Sequence, residues 1–303
     1  MMFRAAALAV LLASLVLIGV RHAPPLSIRD DFEDVLLDPE IWSTIQLRAE
    51  RGRMQAQVVR MGQRALAIDV GEKDRDCDGE CQRNEIRIHN DLRLLFGADA
   101  WYGFSFRMEG DVPHSGGIRW VIGQWKQETD ASPFVAQRYN DGIFHITVQD
   151  GACRRLLATS RAADRQLVQA VSFAVARGTF QRLAAGPLNF LSDKAFYDCD
   201  AGIAVELGAP LPDPYRNWVD MIYHIRGSLD GSGIVEIWAN GTFIARAAGR
   251  IGAVPTAGPT QYFKIGQYRD LMPGRATIYV DNFRRGASYR EVDPSLPLPQ
   301  PER

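Results

Sequence analysis

The chain has 303 residues, of which 46% are hydrophobic and 23% are charged, and its formal net charge is -1. This is an ordinary globular composition, long enough for one large domain or two small ones. A net charge near zero argues against a nucleic-acid partner, because nucleic-acid-binding domains are usually strongly basic. Any attraction for an anionic ligand must therefore be local to one part of the surface.

The N-terminus carries an apolar run from Ala5 to Val20. A run of about 16 residues suits the core of a signal peptide better than a membrane span of about 20. Arg21 and the prolines that follow Ala23 make a poor cleavage site. Residues 1–23 are therefore interpreted as a signal peptide or as an uncleaved N-terminal anchor attached to a membrane. Both interpretations predict an exported protein, either periplasmic or secreted.

Most of the remaining chain is predicted to form β-strands, since it consists of alternating or β-rich segments separated by turn signals. In chain order these segments are RALAIDV, NEIRIHN, WYGFSFRME, IRWVIGQWK, GIFHITVQD, WVDMIYHIRG, GIVEIWANGTFIARAAG, YFKIGQYR and ATIYVDNFRRG. Asn240 and Gly241 mark the clearest hairpin, because this dipeptide supplies the positive φ angles of a tight turn. So many antiparallel strands favour an all-β sandwich or jelly roll over residues 28–290.

Two segments depart from the strand pattern. Residues 151–217 show helical spacing followed by a Gly/Pro-rich return, which we interpret as a partly helical insertion between two strands. Long insertions on β scaffolds commonly form functional rims or lids. Residues 291–303 are rich in proline and are expected to form a loose tail.

The four cysteines fit an exported protein, in which disulfides are stable. Three pairings are formally possible, and the local pairs Cys77–Cys81 and Cys153–Cys199 are geometrically the simplest. A zinc site at CDGEC is disfavoured because no second pair of cysteines or histidines accompanies it.

Two acidic stretches raise the question of a structural calcium ion. The stretch KDRDCDGECQRNEIR fits a calcium loop with Asp74, Asp76, Asp78, Gly79 and Glu85 in the ligand and turn positions. Strands flank this stretch where helices would be expected, so we favour a cross-linked acidic loop followed by a strand. The second candidate is a site formed by Asp31, Glu33 and Asp281 where the terminal strands meet, although these acids could also be solvated or pair with arginines.

Three strands place polar side chains on alternating positions, and hence on one face. RNEIR aligns Arg83, Glu85 and Arg87, IGQWK aligns Gln124 with Lys126, and YFKIGQYR aligns Tyr262, Lys264 and Tyr268. Solvated faces of this kind are common in antiparallel sheets. Together, however, these three faces supply cations, an amide and a phenol, which suits an anionic ligand.

These three motifs, in this order, resemble the signature strands of the jelly-roll polysaccharide lyases. That superfamily includes heparin lyase I-like, glucuronan lyase and alginate lyase-like enzymes, and the resemblance covers roughly residues 30–290. It implies a concanavalin A-like sandwich of two antiparallel sheets. It also implies a carbon–oxygen lyase that cleaves a uronic-acid-containing polysaccharide by β-elimination, with no required cofactor. The expected partner is an anionic polysaccharide, and we expect a monomer.

The resemblance also implies a role for each motif residue. Arg83, Arg87, Gln124 and Lys264 would neutralise the uronate carboxylate and stabilise the enolate-like charge that develops during proton abstraction. Tyr268 would protonate the departing O4 and, in a syn elimination, also remove the C5 proton. Glu85 would orient an arginine. Further contacts with the substrate are assigned to Tyr262, Arg138 and Arg269.

One position departs from the family pattern, because Lys126 stands where the relatives have a histidine. A lysine acts as a base only when burial or neighbouring cations hold it neutral, and otherwise it clamps a carboxylate. The base is therefore Tyr268, Lys126 or a histidine from elsewhere in the chain. Among the histidines, His145 in GIFHITV is the first candidate, ahead of His114, His224 and His89.

Two other functions stay open at this point, because a fold alone does not decide a function. A non-catalytic carbohydrate-binding sandwich would need aromatic platforms but no Lys-x-x-x-Tyr pair facing a cleft. A glycoside hydrolase would need two carboxylates at a fixed separation, and no E-x-D-x-x-E strand occurs in the sequence. Neither the glycan nor the choice between endo and exo action follows from the sequence.

Overall fold

A computed structural model describes residues 23–114, 117–129, 132–151, 153–161, 202–253 and 255–297. In chain order its strands are β1 (Ile28–Asp30), β2 (Trp42–Gln46), β3 (Gly52–Gln55), β4 (Ala65–Val70), β5 (Arg75–Asp76), β6 (Cys81–Ile88), β7 (Leu94–Leu95), β8 (Ala100–Gly110), β9 (Trp120–Gln127), β10 (Val135–Asn140), β11 (Ile143–Asp150), β12 (Cys153–Thr159), β13 (Ile203–Leu207), β14 (Val219–Arg226), β15 (Ser228–Ala239), β16 (Thr242–Ile251), β17 (Thr260–Asp270) and β18 (Ala276–Gly286). One short α-helix, α1 (Tyr289–Val292), follows the last strand. Single 3-10 turns occupy Ala49–Arg51, Cys77–Gly79, Asn90–Leu92 and Pro255–Ala257.

The strands form two antiparallel sheets. The sheet that we call the back sheet has the order β13–β16–β15–β14–β8–β18–β4–β3, and β1 pairs with β18. The sheet that we call the groove sheet has the order β12–β11–β10–β9–β17–β6–β2, with β5 on β6 and β7 on β17. Strands that are distant in the chain are neighbours in space, as β17 is between β6 and β9. The predicted jelly-roll sandwich is confirmed.

An aromatic core lies between the two sheets. The ring centroids of Trp125 on the groove sheet and Tyr223 on the back sheet are 4.5 Å apart, and those of Phe263 and Phe104 are 5.2 Å apart. Burial of each large side chain is worth about 1.5–3 kcal/mol. Because successive strand residues point to opposite faces, the burial of Trp125 and Phe263 turns their polar neighbours toward the outer face of the groove sheet.

The predicted hairpin at Asn240 and Gly241 joins β15 to β16, and both residues have positive φ angles, 49° and 74°. Cys77 and Cys81 form a disulfide with their Cα atoms 5.5 Å apart, which confirms this predicted pair. Cys153 is also disulfide-bonded. Its predicted partner, Cys199, lies outside the described residues.

The boundaries predicted for the insertion are wrong. Residues at both ends of the 151–217 segment belong to the sandwich, because β12 is an edge strand of the groove sheet and β13 is an edge strand of the back sheet. The strand patterns CRRLLAT and IAVEL lie toward the two ends of this segment, on either side of its helical centre. That helical centre lies within residues 162–201, outside the described residues.

The first part of the predicted loose tail is ordered by contacts with the back sheet. Val292 is fully buried, and Arg284 donates hydrogen bonds to the backbone carbonyls of Asp293, at 2.7 Å, and Leu296. The prediction of a loose tail is therefore wrong for residues 291–297, while residues 298–303 lie outside the description. The predicted leader also lies outside it, except for Ala23. Within the described ranges, no helix is long and apolar enough to cross a membrane.

Candidate active site

Three adjacent strands of the groove sheet, β6, β17 and β9, bring the predicted site residues side by side. Lys264 on β17 lies opposite Arg87 on β6 and opposite Gln124 on β9. Tyr268 lies opposite Arg83 in the same way. Because directly opposed residues of antiparallel strands point to the same face, these five side chains form one continuous polar patch.

The patch forms the floor of an open groove with a volume of about 530 Å³. Its described lining residues are Gln46, Asp76, Cys77, Arg83, Arg87, Arg119, Val121, Gln124, Lys126, Ser132, Pro133, Arg138, Arg154, Tyr262, Lys264 and Tyr268. A larger cavity of about 820 Å³ lies beside the C-terminal segment. Two of its four lining arginines, Arg284 and Arg285, donate to backbone carbonyls.

The groove is strongly cationic although the whole chain carries a net charge of only -1. Seven of its described lining residues are arginine or lysine, and Asp76 is the one acid among them. Burial, and then the positive charge of Arg119, lowers the pKa of Arg138 to about 10. The same two effects, burial and neighbouring Arg138 and Arg119, lower the pKa of Arg154. Desolvated guanidinium groups that crowd together are stabilised by an anion, which is what this groove would accept.

Glu85 lies beneath the groove and holds two of the predicted carboxylate ligands in place. Its Oε2 accepts a hydrogen bond from Lys264 Nζ at 2.7 Å, and its Oε1 accepts one from Gln124 Nε2. Arg83 Nε lies farther away, 3.6 Å from Oε2. The predicted partner of Glu85 was an arginine, but its close partners are the ammonium and the amide.

Tyr268 lies between two guanidinium groups. The Cζ atom of Arg83 is 4.3 Å from the centroid of its ring, and the Cζ atom of Arg119 is 4.6 Å from it. Asp270 fixes Arg119 twice, through an ion pair of 2.8 Å and through a hydrogen bond of 2.8 Å from the Arg119 backbone N–H. The phenol is thereby positioned by one cation from β6 and one from the residue that precedes β9.

Arg119 is a site residue that the sequence did not indicate. Simple alternation places Arg119 and Gln124 on opposite faces, because their positions differ by an odd number. A β-bulge in β9 changes this, since Gln137 pairs with Gly123 but the next residue, Arg138, pairs with Val121. A bulge shifts every side chain beyond it to the other face. The one local signal is Gly123 inside the strand pattern, since an isolated glycine in a strand often marks a bulge.

At the other end of the groove Tyr262 forms part of the wall. Its side chain is almost fully buried, and the Cζ atoms of Arg93 and Arg87 lie 4.2 Å and 5.9 Å from its ring centroid. Lys126 is directly opposite Tyr262 on β9 and is partly exposed to the groove. Both residues therefore lie where the sequence placed them.

The geometry argues against the histidine that was the first candidate for the base. His145 lies opposite Arg138 on β11 but is buried, and it does not line the groove. Its Nδ1 is 2.9 Å from the carbonyl oxygen of Ile143, and burial lowers its pKa to about 3, so the ring is neutral. His224 is on the back sheet, bound to Asp99 and Glu236. Of the described residues that line the groove, none is a histidine.

Arg269 does not reach the groove, so its predicted role as a subsite residue is corrected. It follows Tyr268 directly and therefore points to the opposite face of the sheet. There it is fully buried, with its Nε donating to Gln82 Oε1 at 2.7 Å and its guanidinium over the ring of Trp120. Arg138, by contrast, lines the groove as predicted.

Neither predicted calcium site forms a cluster of ligands. In the acidic loop Asp74 pairs with Arg51 at 2.9 Å, while Glu85 is committed to Lys264. Near the terminal strands Asp281 accepts the backbone N–H groups of Arg60 and Met61, and Glu33 accepts that of Gln63. In the described ranges the one group close enough for a metal is Asp76, Cys77 and Cys81, and its two sulfurs form the disulfide.

Comparison with known proteins gives a family and a fold. A family model described as polysaccharide lyase matches residues 37–284. The structure of an endo-β-1,4-glucuronan lyase from the fungus Trichoderma reesei is similar with a TM-score of 0.54 at 15% identity, covering 84% of this chain and 95% of that chain. The alginate lyase A1-II′ has a TM-score of 0.47 at 12% identity, covering 82% and 96%. No curated protein sequence matches the chain significantly.

Proposed function

The chain belongs to the polysaccharide lyase family, and from this premise we propose that it cleaves a uronic-acid-containing polysaccharide by β-elimination. The observation that carries the proposal is the cationic groove with Tyr268 between two guanidinium groups. A polyuronate is also the substrate named for the Trichoderma enzyme, with which this chain shares its fold.

The proposed reaction begins with neutralisation of the uronate carboxylate. The C5 proton of a uronate is weakly acidic until cations and hydrogen-bond donors stabilise the enolate-like charge that its removal creates. Arg87 and Lys126 are partly exposed and can contact the carboxylate directly. Lys264 and Gln124, held by Glu85, act from the floor of the groove. A base then takes the C5 proton, the C4–O4 bond breaks, and the electron pair of the C5–H bond forms a C4=C5 double bond.

Tyr268 is the proposed acid that gives its proton to the departing O4. The phenolate left behind lies between Arg83 and Arg119, whose positive charges stabilise it without any rearrangement. In a syn elimination, with the proton and the leaving group on one side of the sugar, Tyr268 instead starts as the phenolate, takes the C5 proton and gives that proton to the departing O4. Lys126 is the second candidate for the base, because no histidine lines the described groove.

The two alternative functions, a carbohydrate-binding module and a glycoside hydrolase, are less well supported. Membership of a lyase family favours an enzyme over a carbohydrate-binding module. A glycoside hydrolase needs two carboxylates across the scissile bond, whereas Asp76 is the one acid among the described residues lining this groove. Export, a monomeric state and independence from a metal cofactor are further parts of the proposal.

The proposal is tested by the ultraviolet absorbance of the unsaturated uronide that elimination produces. Polyglucuronate, alginate and a glycosaminoglycan would each be incubated with the wild-type protein and with Tyr268→Phe. We expect the absorbance to rise on at least one polymer and to be lost in Tyr268→Phe. The matched control is Tyr289→Phe, which changes a tyrosine of α1 outside the groove. Full activity of Tyr268→Phe would refute the assignment of the acid.

A further inference from the structure

We infer that the cavity of about 820 Å³ beside the C-terminal segment is a second binding site, which holds the carboxylate of an acidic saccharide without cleaving it. We call it the arginine cavity. It shares no described lining residue with the groove that contains Tyr268. Its role is therefore separate from the proposed elimination and additional to it.

Four arginines and one acid are the charged residues that line the arginine cavity in the described part of the chain. Arg29 and Arg290 are exposed, whereas Arg284 and Arg285 have only 5% and 2% of their surface exposed. None of the four makes an ion pair with a residue in the described ranges. Arginine is almost never fully buried unless an opposite charge accompanies it, so the described residues leave these guanidinium groups without a counter-charge.

The backbone contacts of the two buried arginines satisfy hydrogen bonds but do not neutralise charge. Arg285 donates to three backbone carbonyls and Arg284 to two, and the Nε of Arg284 is buried without an acceptor. Carbonyl groups carry no net charge, and burial lowers the pKa of both arginines below the usual value for this side chain. An anion in the cavity would offset that cost of burial.

The one acid of the arginine cavity, Glu291, is engaged elsewhere. Its Oε1 accepts a hydrogen bond from the hydroxyl of Ser27, and its Oε2 accepts one from the backbone N–H of Ala287 at 2.8 Å. This carboxylate therefore ties α1 to the N-terminal segment and to the turn before the helix. Four cations against one acid leave the cavity cationic.

The size and the lining of the arginine cavity favour a sugar acid over a small inorganic ion. Its volume is that of sites that enclose small organic molecules. Ile28, Leu296 and Pro297 supply apolar surface for the C–H face of a sugar ring, and a guanidinium group matches a carboxylate with two parallel hydrogen bonds. The described lining residues include no tyrosine, histidine or lysine that could act as acid and base in an elimination.

The experiment counts binding sites by isothermal titration calorimetry at low ionic strength. The protein is the full chain with Tyr268→Phe, so that the probe is not consumed, and the probe is a tetrasaccharide of β-1,4-linked glucuronate. We expect two equivalents to bind, one in the groove and one in the arginine cavity. Adding Arg29→Gln/Arg290→Gln should remove the equivalent in the cavity, and adding Arg87→Gln/Lys126→Gln should remove the one in the groove. Arg29 and Arg290 are exposed and make no ion pair with a described residue, so their replacement should leave the melting temperature unchanged.

The matched control is Arg216→Gln/Arg250→Gln, which replaces two exposed arginines that line neither site and should leave both equivalents. Cellotetraose, which lacks carboxylates, and inorganic sulfate should not displace the tetrasaccharide from the cavity. Binding that Arg29→Gln/Arg290→Gln leaves unchanged, or that the control pair reduces equally, would overturn the inference, as would displacement by cellotetraose or by sulfate at the same concentration. A single equivalent that only Arg29→Gln/Arg290→Gln removes would support the inference and count against the groove, so the two proposals fail separately.

Discussion

The buried carboxylate of Glu85 offers a sharp test of how the groove is built. Glu85 and Lys264 have 1% and 4% of their surface exposed, and their charged atoms are 2.7 Å apart. Removing one partner of a buried ion pair leaves the other charge uncompensated, at a cost of about 3–5 kcal/mol. At about 2–4 °C per kcal/mol for a domain of this size, Glu85→Gln should lower the melting temperature by roughly 10 °C.

Glu85→Gln should also lower kcat/KM by about a hundredfold, because a misplacement of about 1 Å costs that much in a positioned site. The double variant Glu85→Gln/Lys264→Met removes both charges and should regain most of the stability but not the activity. Thermal unfolding and the elimination assay measure the two effects separately. The stability control is Asp76→Asn, because the Asp76 side chain is 46% exposed and its pair with Arg83 should contribute little. A melting temperature of Glu85→Gln equal to that of the wild type would refute the reasoning.

Three further predictions concern other parts of the molecule. Arg119→Ala should lower kcat about tenfold or more with little change in KM, since its guanidinium stabilises charge on Tyr268 only during the reaction; an effect confined to KM would contradict this. Replacing Cys77 and Cys81 by serine should cost about 2 kcal/mol of unfolding free energy, the value expected for closing so short a loop, and denaturant titration measures it. Burial raises the pKa of Asp281 to about 7. Between about pH 4 and 7 the folded state therefore holds a proton on this carboxyl group that the unfolded state has released. Stability should fall as the pH rises from about 4 to 7, by up to about 1.4 kcal/mol per unit, and Asp281→Asn should abolish this slope in melts across that range.

The strands and much of the site follow from the sequence because both depend on local alternation. In YFKIGQYR the apolar positions Phe263 and Ile265 are buried, and this leaves Tyr262, Lys264 and Tyr268 on the other face. The same rule predicts that Arg269 points away from the groove. The prediction that Arg269 lines a subsite is therefore wrong.

The features that the sequence did not reveal depend on the register and the distances between neighbouring strands. The bulge that brings Arg119 over Tyr268 is a matter of register between β9 and its neighbours. The selection of Lys264 and Gln124 as partners of Glu85 depends on distances across three strands. Ion-pair partners within one strand are visible in a sequence, whereas partners across strands need the fold.

The central claim is that the chain breaks a C4–O4 bond by elimination and adds no water. The most direct measurement is mass spectrometry of the products formed from a cleavable uronic-acid polymer in water enriched in heavy oxygen. Elimination predicts unsaturated products without heavy oxygen in the new chain ends, and no such products from Tyr268→Phe. Products that are all saturated, with no unsaturated chain end among them, would show hydrolysis and contradict the account.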